Sequence, residues 1–110
     1  MPRFLIAALA ASGLALAAPA TAQQAAGSAE AGKKKIAMCE GCHGIPGYKT
    51  AYPEVYHVPK LGGQSPAYLM KALQAYKSGA RSHPSMRGIA AGLSDQDMAD
   101  VAAYYGGGGK

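Results

Sequence analysis

The sequence has no tryptophan, a single phenylalanine and only two cysteines among its 110 residues. Two cysteines form at most one disulfide, so the disulfide framework that holds many small exported domains together is excluded. A structural zinc site needs four ligands, usually supplied as two pairs, and the chain has one cysteine pair. A chain this small and this poor in large aromatic residues therefore needs some other means of completing its core.

Acidic residues are also few, with 6 Asp and Glu against 11 Lys and Arg, which gives a formal net charge of +5. The basic residues are scattered, and no aromatic stacking motif is interleaved with them, so a nucleic-acid interface is not indicated. A positive balance of this size favours encounter with acidic surfaces on other proteins.

No apolar run reaches the length of a membrane-spanning helix. The longest, Phe4 to Ala18, has about 15 residues, whereas a spanning helix needs roughly 20. Arg3 precedes this run and small residues follow at 20–22, a pattern typical of a secretory signal peptide. We therefore expect residues 1–22 to be a cleaved signal, with export to the bacterial periplasm and no stable membrane span afterwards; retention as an uncleaved anchor stays open.

The remaining chain predicts an all-α fold of about three main helices, because no period-2 strand pattern occurs. Ser28 is a candidate N-cap for a helix over residues 29–38, Ser65-Pro66 opens a helix that ends at Gly79, and Ser94 with Asp97 resembles a capping box for a terminal helix. We expect a flexible leader over 23–28, one folded domain over 29–105 and a flexible glycine-rich tail over 106–110. Residues 44–63 and 79–93 are predicted to be loops.

Packing roles follow from helical spacing. An apolar stripe on the second helix is expected to face the core, formed by Tyr68, Leu69, Ala72, Leu73 and Tyr76. Three methionines are interpreted as packing residues, namely Met38, Met70 and Met98.

Cys39-Glu40-Gly41-Cys42-His43 uses both cysteines of the chain. On one turn of helix, Cys39, Cys42 and His43 share a face, which suits covalent haem attachment: two thiols bond the two vinyl groups and the imidazole ligates the iron. The alternatives are a disulfide or thioredoxin-like pair, which is expected beside a βαβ pattern that the sequence lacks, and a zinc site.

A second axial ligand must come from elsewhere in the chain. Met38 adjoins Cys39 too closely to reach the opposite haem face, and Met70 and Met98 lie at packing positions of helices. Three candidates remain in predicted loops, namely His57, His83 and Met86.

With these pieces in place, the chain resembles the class I c-type cytochromes, and among them the small bacterial cytochrome c4/c553 group. The resemblance rests on the attachment motif, on Pro59-Lys60-Leu61-Gly62-Gly63-Gln64, on the helix from Pro66 to Ser78, and on Met86 ahead of Leu93-Ser94-Asp95. It implies one covalent haem c, with iron bound by His43 and Met86. It further implies that Cys39 and Cys42 carry the thioethers.

The resemblance also implies supporting contacts. The Pro59 carbonyl would accept the Nδ1–H of His43, and Leu61 would pack against the ring. The first and last helices would cross near Gly32 and Ile36, which would meet Val101 or Tyr105.

The expected function is that of a periplasmic carrier of single electrons, with no enzymatic activity. Its partners would be redox proteins with acidic docking surfaces, facing a basic rim drawn from Lys49, Lys60, Lys71, Lys77, Arg81 and Arg87. Two alternatives remain open. In the first, the chain is not a monomeric carrier but the haem subunit of a larger periplasmic dehydrogenase. In the second, it is a five-coordinate haem enzyme or sensor.

Overall fold

The computed structural model describes residues 26–51 and 55–109. The predicted signal peptide lies outside the described residues, as do residues 23–25 of the leader. The elements run in the order α1 (Ala29–Lys33), α2 (Ala37–His43), β1 (Lys49–Thr50), β2 (Tyr56–His57), α3 (Pro66–Ser78), α4 (Pro84–Ala91) and α5 (Asp95–Gly106). The all-α prediction is confirmed, with the addition of a two-stranded antiparallel ribbon that pairs Lys49 with His57 and Thr50 with Tyr56.

Helix α3 begins and ends where the sequence predicts. The Ser65 hydroxyl accepts the N–H of Tyr68 at 3.3 Å, Pro66 occupies the first turn, and Gly79 follows the helix at φ +86°. That left-handed conformation suits glycine, which has no Cβ to clash with the preceding carbonyl.

Helix α5 forms the centre of the core. Met98, Val101, Ala102 and Tyr105 are buried on it, and they pack with residues from α3 and the α1–α2 turn, namely Leu69, Met70 and Ile36. Burying an aliphatic or aromatic side chain of this size stabilises a fold by about 1.5–3 kcal/mol. The capping box predicted at its start is present, because Ser94 and Asp97 each accept the other's backbone N–H.

The region predicted as the first helix contains two separate helices, α1 and α2. Lys34 bonds back to Ala31 in a tightened last turn, and α2 starts only at Ala37. The turn between them brings the Lys35 ammonium to the carboxylates of α5 and buries Ile36. The prediction of one continuous helix over 29–38 was therefore wrong, and the attachment motif lies on a short helix of its own.

The two predicted loops also contain regular structure. Residues 44–63 include the β1–β2 ribbon. Residues 79–93 include α4, which begins with His83 as N-cap and Pro84 in its first turn. Met86 therefore lies on a helix and not on a loop.

The packing predictions were wrong for two residues and are confirmed for three. Met38 is 69% exposed and Tyr68 is 52% exposed, so neither is a core residue. Leu69, Met70 and Met98 are buried. The boundary of the C-terminal tail also shifts, because α5 includes Gly106 and the amide of Gly109 bonds to Tyr104 O at 3.1 Å.

Within residues 26–51 and 55–109, no helix has the length and apolar character needed to cross a bilayer.

Candidate functional site

Helix α2 carries the attachment motif as the sequence predicts. Cys39, Cys42 and His43 follow at i, i+3 and i+4 within Ala37–His43, so they share one side of the helix, and each is half-buried. Gly44 ends the helix through a bond from its N–H to Glu40 O at 2.9 Å. The helix thus presents two sulfurs and an imidazole together.

Cys39 and Cys42 do not form a disulfide with each other. Burial raises the pKa of Cys39, and the nearby Glu40 carboxylate adds to this effect. A thiol with a raised pKa stays protonated at neutral pH, whereas the nucleophilic cysteine of a redox pair is a thiolate of lowered pKa. The environment of Cys39 therefore does not support the thioredoxin-like alternative.

His43 is oriented by a hydrogen bond from another segment. Its Nδ1 lies 2.7 Å from the carbonyl oxygen of Pro59. A carbonyl can only accept, so Nδ1 carries the proton and the lone pair is on Nε2. An imidazole held in this way presents Nε2 as a metal ligand.

The segment that follows Pro59 packs against the same apolar core as the attachment helix. Leu61 is half-buried against the core cluster, as is Cys39. Gly63 donates its N–H to Tyr105 O at 3.0 Å, which fastens this segment to the end of α5. The structure thus brings together α2, the Pro59 segment and α5.

The three candidates for the second axial ligand differ in their contacts with the rest of the protein and in their exposure. His83 accepts the N–H of Met86 at Nδ1 (3.3 Å), and its ring lies 4.4 Å from that of Tyr56 and 6.4 Å from that of Tyr76. His57 is exposed on β2. Met86 is half-buried on α4, and its backbone is fixed by the His83 cap.

One buried polar atom of the described residues lacks a partner, and it lies in this region. The hydroxyl of Tyr105 makes no hydrogen bond, and the side chain is 1% exposed. Burial raises the pKa of Tyr105 to about 12, and this side chain belongs to the core cluster against which Cys39 packs.

The donor set fits a haem. Two free thiols three residues apart match the two vinyl groups, and His43 offers one nitrogen with its tautomer already fixed. Large apolar side chains next to the motif, Met38 and Ile45, are exposed rather than packed. Among the residues that the structure describes, no group of three or more His, Cys, Asp or Glu side chains converges as a direct metal site.

Comparison with known proteins gives consistent matches. The profile of the Cytochrome c family matches residues 29–105. The chain is 46% identical over 81 residues to cytochrome c4 of Pseudomonas aeruginosa, covering 74% of this chain and 38% of that protein. It is 46% identical over 83 residues to cytochrome c-554(548) of Halomonas halodenitrificans, covering 73% of this chain and 95% of that protein.

Among solved structures, reduced recombinant cytochrome c4 from Pseudomonas stutzeri is similar, with a TM-score of 0.59 and 42% identity. The match covers 74% of this chain and 45% of that one. The chain therefore spans less than half the length of the cytochrome c4 proteins that it matches.

Proposed function

The chain belongs to the cytochrome c family, as a class I c-type cytochrome of the c4 type that carries haem c, and we propose that it transfers single electrons between redox proteins of the bacterial periplasm. The observation that carries the proposal is the 2.7 Å hydrogen bond between His43 Nδ1 and Pro59 O. This bond leaves the Nε2 lone pair of His43 available for iron, and His43 directly follows two cysteines that have the spacing of a haem-attachment motif.

In this proposal Cys39 and Cys42 form the two thioethers, and His43 is the proximal ligand. Leu61, which like Cys39 packs against the core cluster, would lie against the ring. When bound, haem c supplies an iron that changes between the ferrous and ferric states. The protein contributes orientation and a fixed environment for that change.

Met86 is proposed as the distal ligand. His83 is occupied by capping α4 and by its contacts with Tyr56 and Tyr76, and His57 lies exposed on β2. A methionine thioether opposite a histidine raises the reduction potential and leaves no open site for oxygen or peroxide. Both residues lie on helices, His43 on α2 and Met86 on α4, and the helical backbone would hold them in place while the iron changes oxidation state.

Covalent attachment is tested first. The exported protein, expressed with a working haem-ligation system, is expected to be red and to keep its haem through acid–acetone extraction. The Cys39→Ala/Cys42→Ala variant is expected to release it. A colourless wild-type protein would refute the haem assignment.

The distal ligand is tested with matched methionine variants. Met86→Ala is expected to abolish the weak charge-transfer band between sulfur and ferric iron and to lower the reduction potential. Met38→Ala serves as the control, since this side chain is 69% exposed. Retention of the band in Met86→Ala would assign the ligand elsewhere, with His83→Ala as the next variant.

The two alternatives have their own outcomes. Ready binding of carbon monoxide to the ferrous wild-type protein at neutral pH would favour an enzyme or sensor with an open iron site. Elution of the native protein from cells in one large complex would favour a fixed dehydrogenase subunit over a free carrier.

A further inference from the structure

The charges of this chain are separated along the fold. The 40 residues from Val55 to Ser94 contain no Asp or Glu and five Lys or Arg. The acidic residues within the described ranges all lie on the other helices, namely Glu30 on α1, Glu40 on α2, and Asp95, Asp97 and Asp100 on α5. The α3–α4 half of the protein is therefore basic, with no carboxylate of its own in that stretch.

A surface cavity of about 540 Å³ lies in this basic half. It is formed by the connection between α3 and α4 and by one face of α4. Arg81 and Ser82 line it from the connection, and Arg87 and Gly88 line it from the helix. Met86 is not among the lining residues, so the cavity and the proposed iron ligand occupy different faces of α4.

Of the two arginines, Arg81 is oriented by a neighbouring aromatic ring, and neither is paired with a carboxylate of the described residues. The Arg81 guanidinium lies 4.7 Å from the centre of the Tyr76 ring, and its backbone N–H bonds to Ala75 O at 3.1 Å. Among the described residues, neither Arg81 nor Arg87 has a carboxylate oxygen within 4.0 Å; the ion pairs there belong to Lys35. Two arginine residues thus line one cavity without a carboxylate of the described residues beside them.

His83 lines the same cavity. Its Nδ1 accepts the N–H of Met86, and its ring lies 4.4 Å from that of Tyr56, so contacts within the protein orient the imidazole. Groups that are ordered before binding lose less entropy when a ligand arrives.

We propose that this cavity is the docking site for acidic side chains on the protein that exchanges electrons with this cytochrome. The inference rests on the proposed function and adds to it the place of contact. Planar guanidinium forks match carboxylates in two-point hydrogen bonds, which a scattered lysine surface does not provide. Arg87 directly follows Met86 on α4, so a carboxylate bound there would lie on the same short helix as the proposed distal ligand.

The test uses the reduced holoprotein labelled with ¹⁵N and the peptide acetyl-hexaglutamate amide as the probe. Amide signals of Gly79, Ser82 and Gly88 are expected to shift and saturate during titration, and added salt is expected to weaken the binding. Arg81→Gln and Arg87→Gln are each expected to lower the affinity about three- to tenfold, as removal of a charge-assisted contact does.

Two further variants distinguish specific binding at the cavity from general electrostatic attraction between the peptide and a basic protein. Lys33→Gln removes the same charge from an exposed position on α1, and it is expected to change the affinity by less than about twofold. Arg87→Lys keeps the charge but loses the fork, and it is expected to weaken binding measurably. Equal losses in Arg81→Gln, Arg87→Gln and Lys33→Gln, or shifts spread evenly over the surface, would overturn the proposal.

The same samples keep this inference separate from the proposed function. A protein with the haem spectrum but without peptide shifts at the cavity refutes the docking site alone. A protein without covalent haem refutes the function, whatever the peptide does. Binding to vesicles containing phosphatidylglycerol that depends on Arg81 and Arg87, without any peptide shift, would assign the cavity to a membrane surface and overturn the proposal.

Discussion

The hydroxyl of Tyr105 is buried without a hydrogen-bond partner beside the attachment helix. An unsatisfied buried polar group costs desolvation free energy that its removal recovers. Tyr105→Phe is therefore expected to raise the free energy of unfolding of the holoprotein by about 1 kcal/mol, measured by urea denaturation. Tyr104→Phe, in the same helix but only half-buried, is the control. A loss of stability in Tyr105→Phe would mean that the hydroxyl is satisfied when haem is bound.

Single residues also show how far the sequence alone reaches. The shared face of Cys39, Cys42 and His43 follows directly from helical spacing, and the structure has it. Met86 was expected in a loop, because residues 79–93 were predicted to contain no helix. Proline in the first turn instead helps to start α4, and the His83 side chain caps it. His83-Pro84 repeats the pattern of Ser65-Pro66, which was read correctly, but histidine is not a usual N-cap.

At the scale of elements, the contact between α1 and α5 depends on Gly32. A Cβ at this position would overlap the carbonyl of Asp100 and lie 2.9 Å from the Cβ of Tyr104. Gly32→Ala is therefore expected to lower the free energy of unfolding by about 3 kcal/mol, since backbone cannot yield as a flexible side chain does. Thermal unfolding followed by circular dichroism measures the change.

The control for this prediction is Gly88→Ala. A Cβ there meets no atom within 4 Å, and alanine within a helix is favoured over glycine by roughly 0.5–1 kcal/mol. Gly88→Ala is therefore expected to stabilise the protein slightly. Similar melting temperatures for the two variants would contradict the close approach of α1 and α5.

The contact between α1 and α5 was predicted from the sequence, but the residues that meet there were predicted only in part. The resemblance placed Gly32 and Ile36 against Val101 or Tyr105; Gly32 lies instead against Asp100 and Tyr104, whereas Ile36 shares the core with Val101 and Tyr105. Spacing identifies which face of a helix is buried. Helical spacing does not predict the turn at Lys34. This turn places Lys35 next to Asp97 and Asp100 of α5, and such contacts between distant parts of the chain are not visible in the local sequence.

Across the whole molecule, a polar cluster joins the two ends of the domain. Asp100 is 3% exposed; its carboxylate accepts the N–H of Ser28 at 2.8 Å and the side-chain amide of Gln96 at 2.9 Å, and it pairs with Lys35 at 2.6 Å. Lys35 also pairs with Asp97 at 2.8 Å. A buried charge that is paired and hydrogen-bonded on several sides is strongly destabilising to break. The cluster therefore fixes α1, and with it the start of the attachment helix, to α5.

The pH dependence of stability follows from this cluster. The Lys35 ammonium and backbone N–H groups lower the pKa of Asp97 and Asp100 from 3.8 to about 2. A carboxylate with a lowered pKa contributes stability that is complete above its unfolded value and is lost as pH falls through its folded value. The loss is therefore expected between about pH 4 and pH 2. The pKa of Lys35 is raised above 10.5, mainly by Asp100, so its contribution is lost only at alkaline pH.

Asp100→Asn tests this linkage. The variant lacks the ionised carboxylate at every pH, so its urea midpoint is expected to lie below that of the wild type at pH 7 and to approach it as the wild-type carboxylate is protonated toward pH 2. Asp95→Asn, which removes an exposed carboxylate without an ion pair among the described residues, is expected to show no such convergence. A gap between wild type and Asp100→Asn that stays constant from pH 7 to pH 2 would mean that Asp100 acts through packing rather than charge. The attachment helix would then be joined to α5 by the apolar core alone.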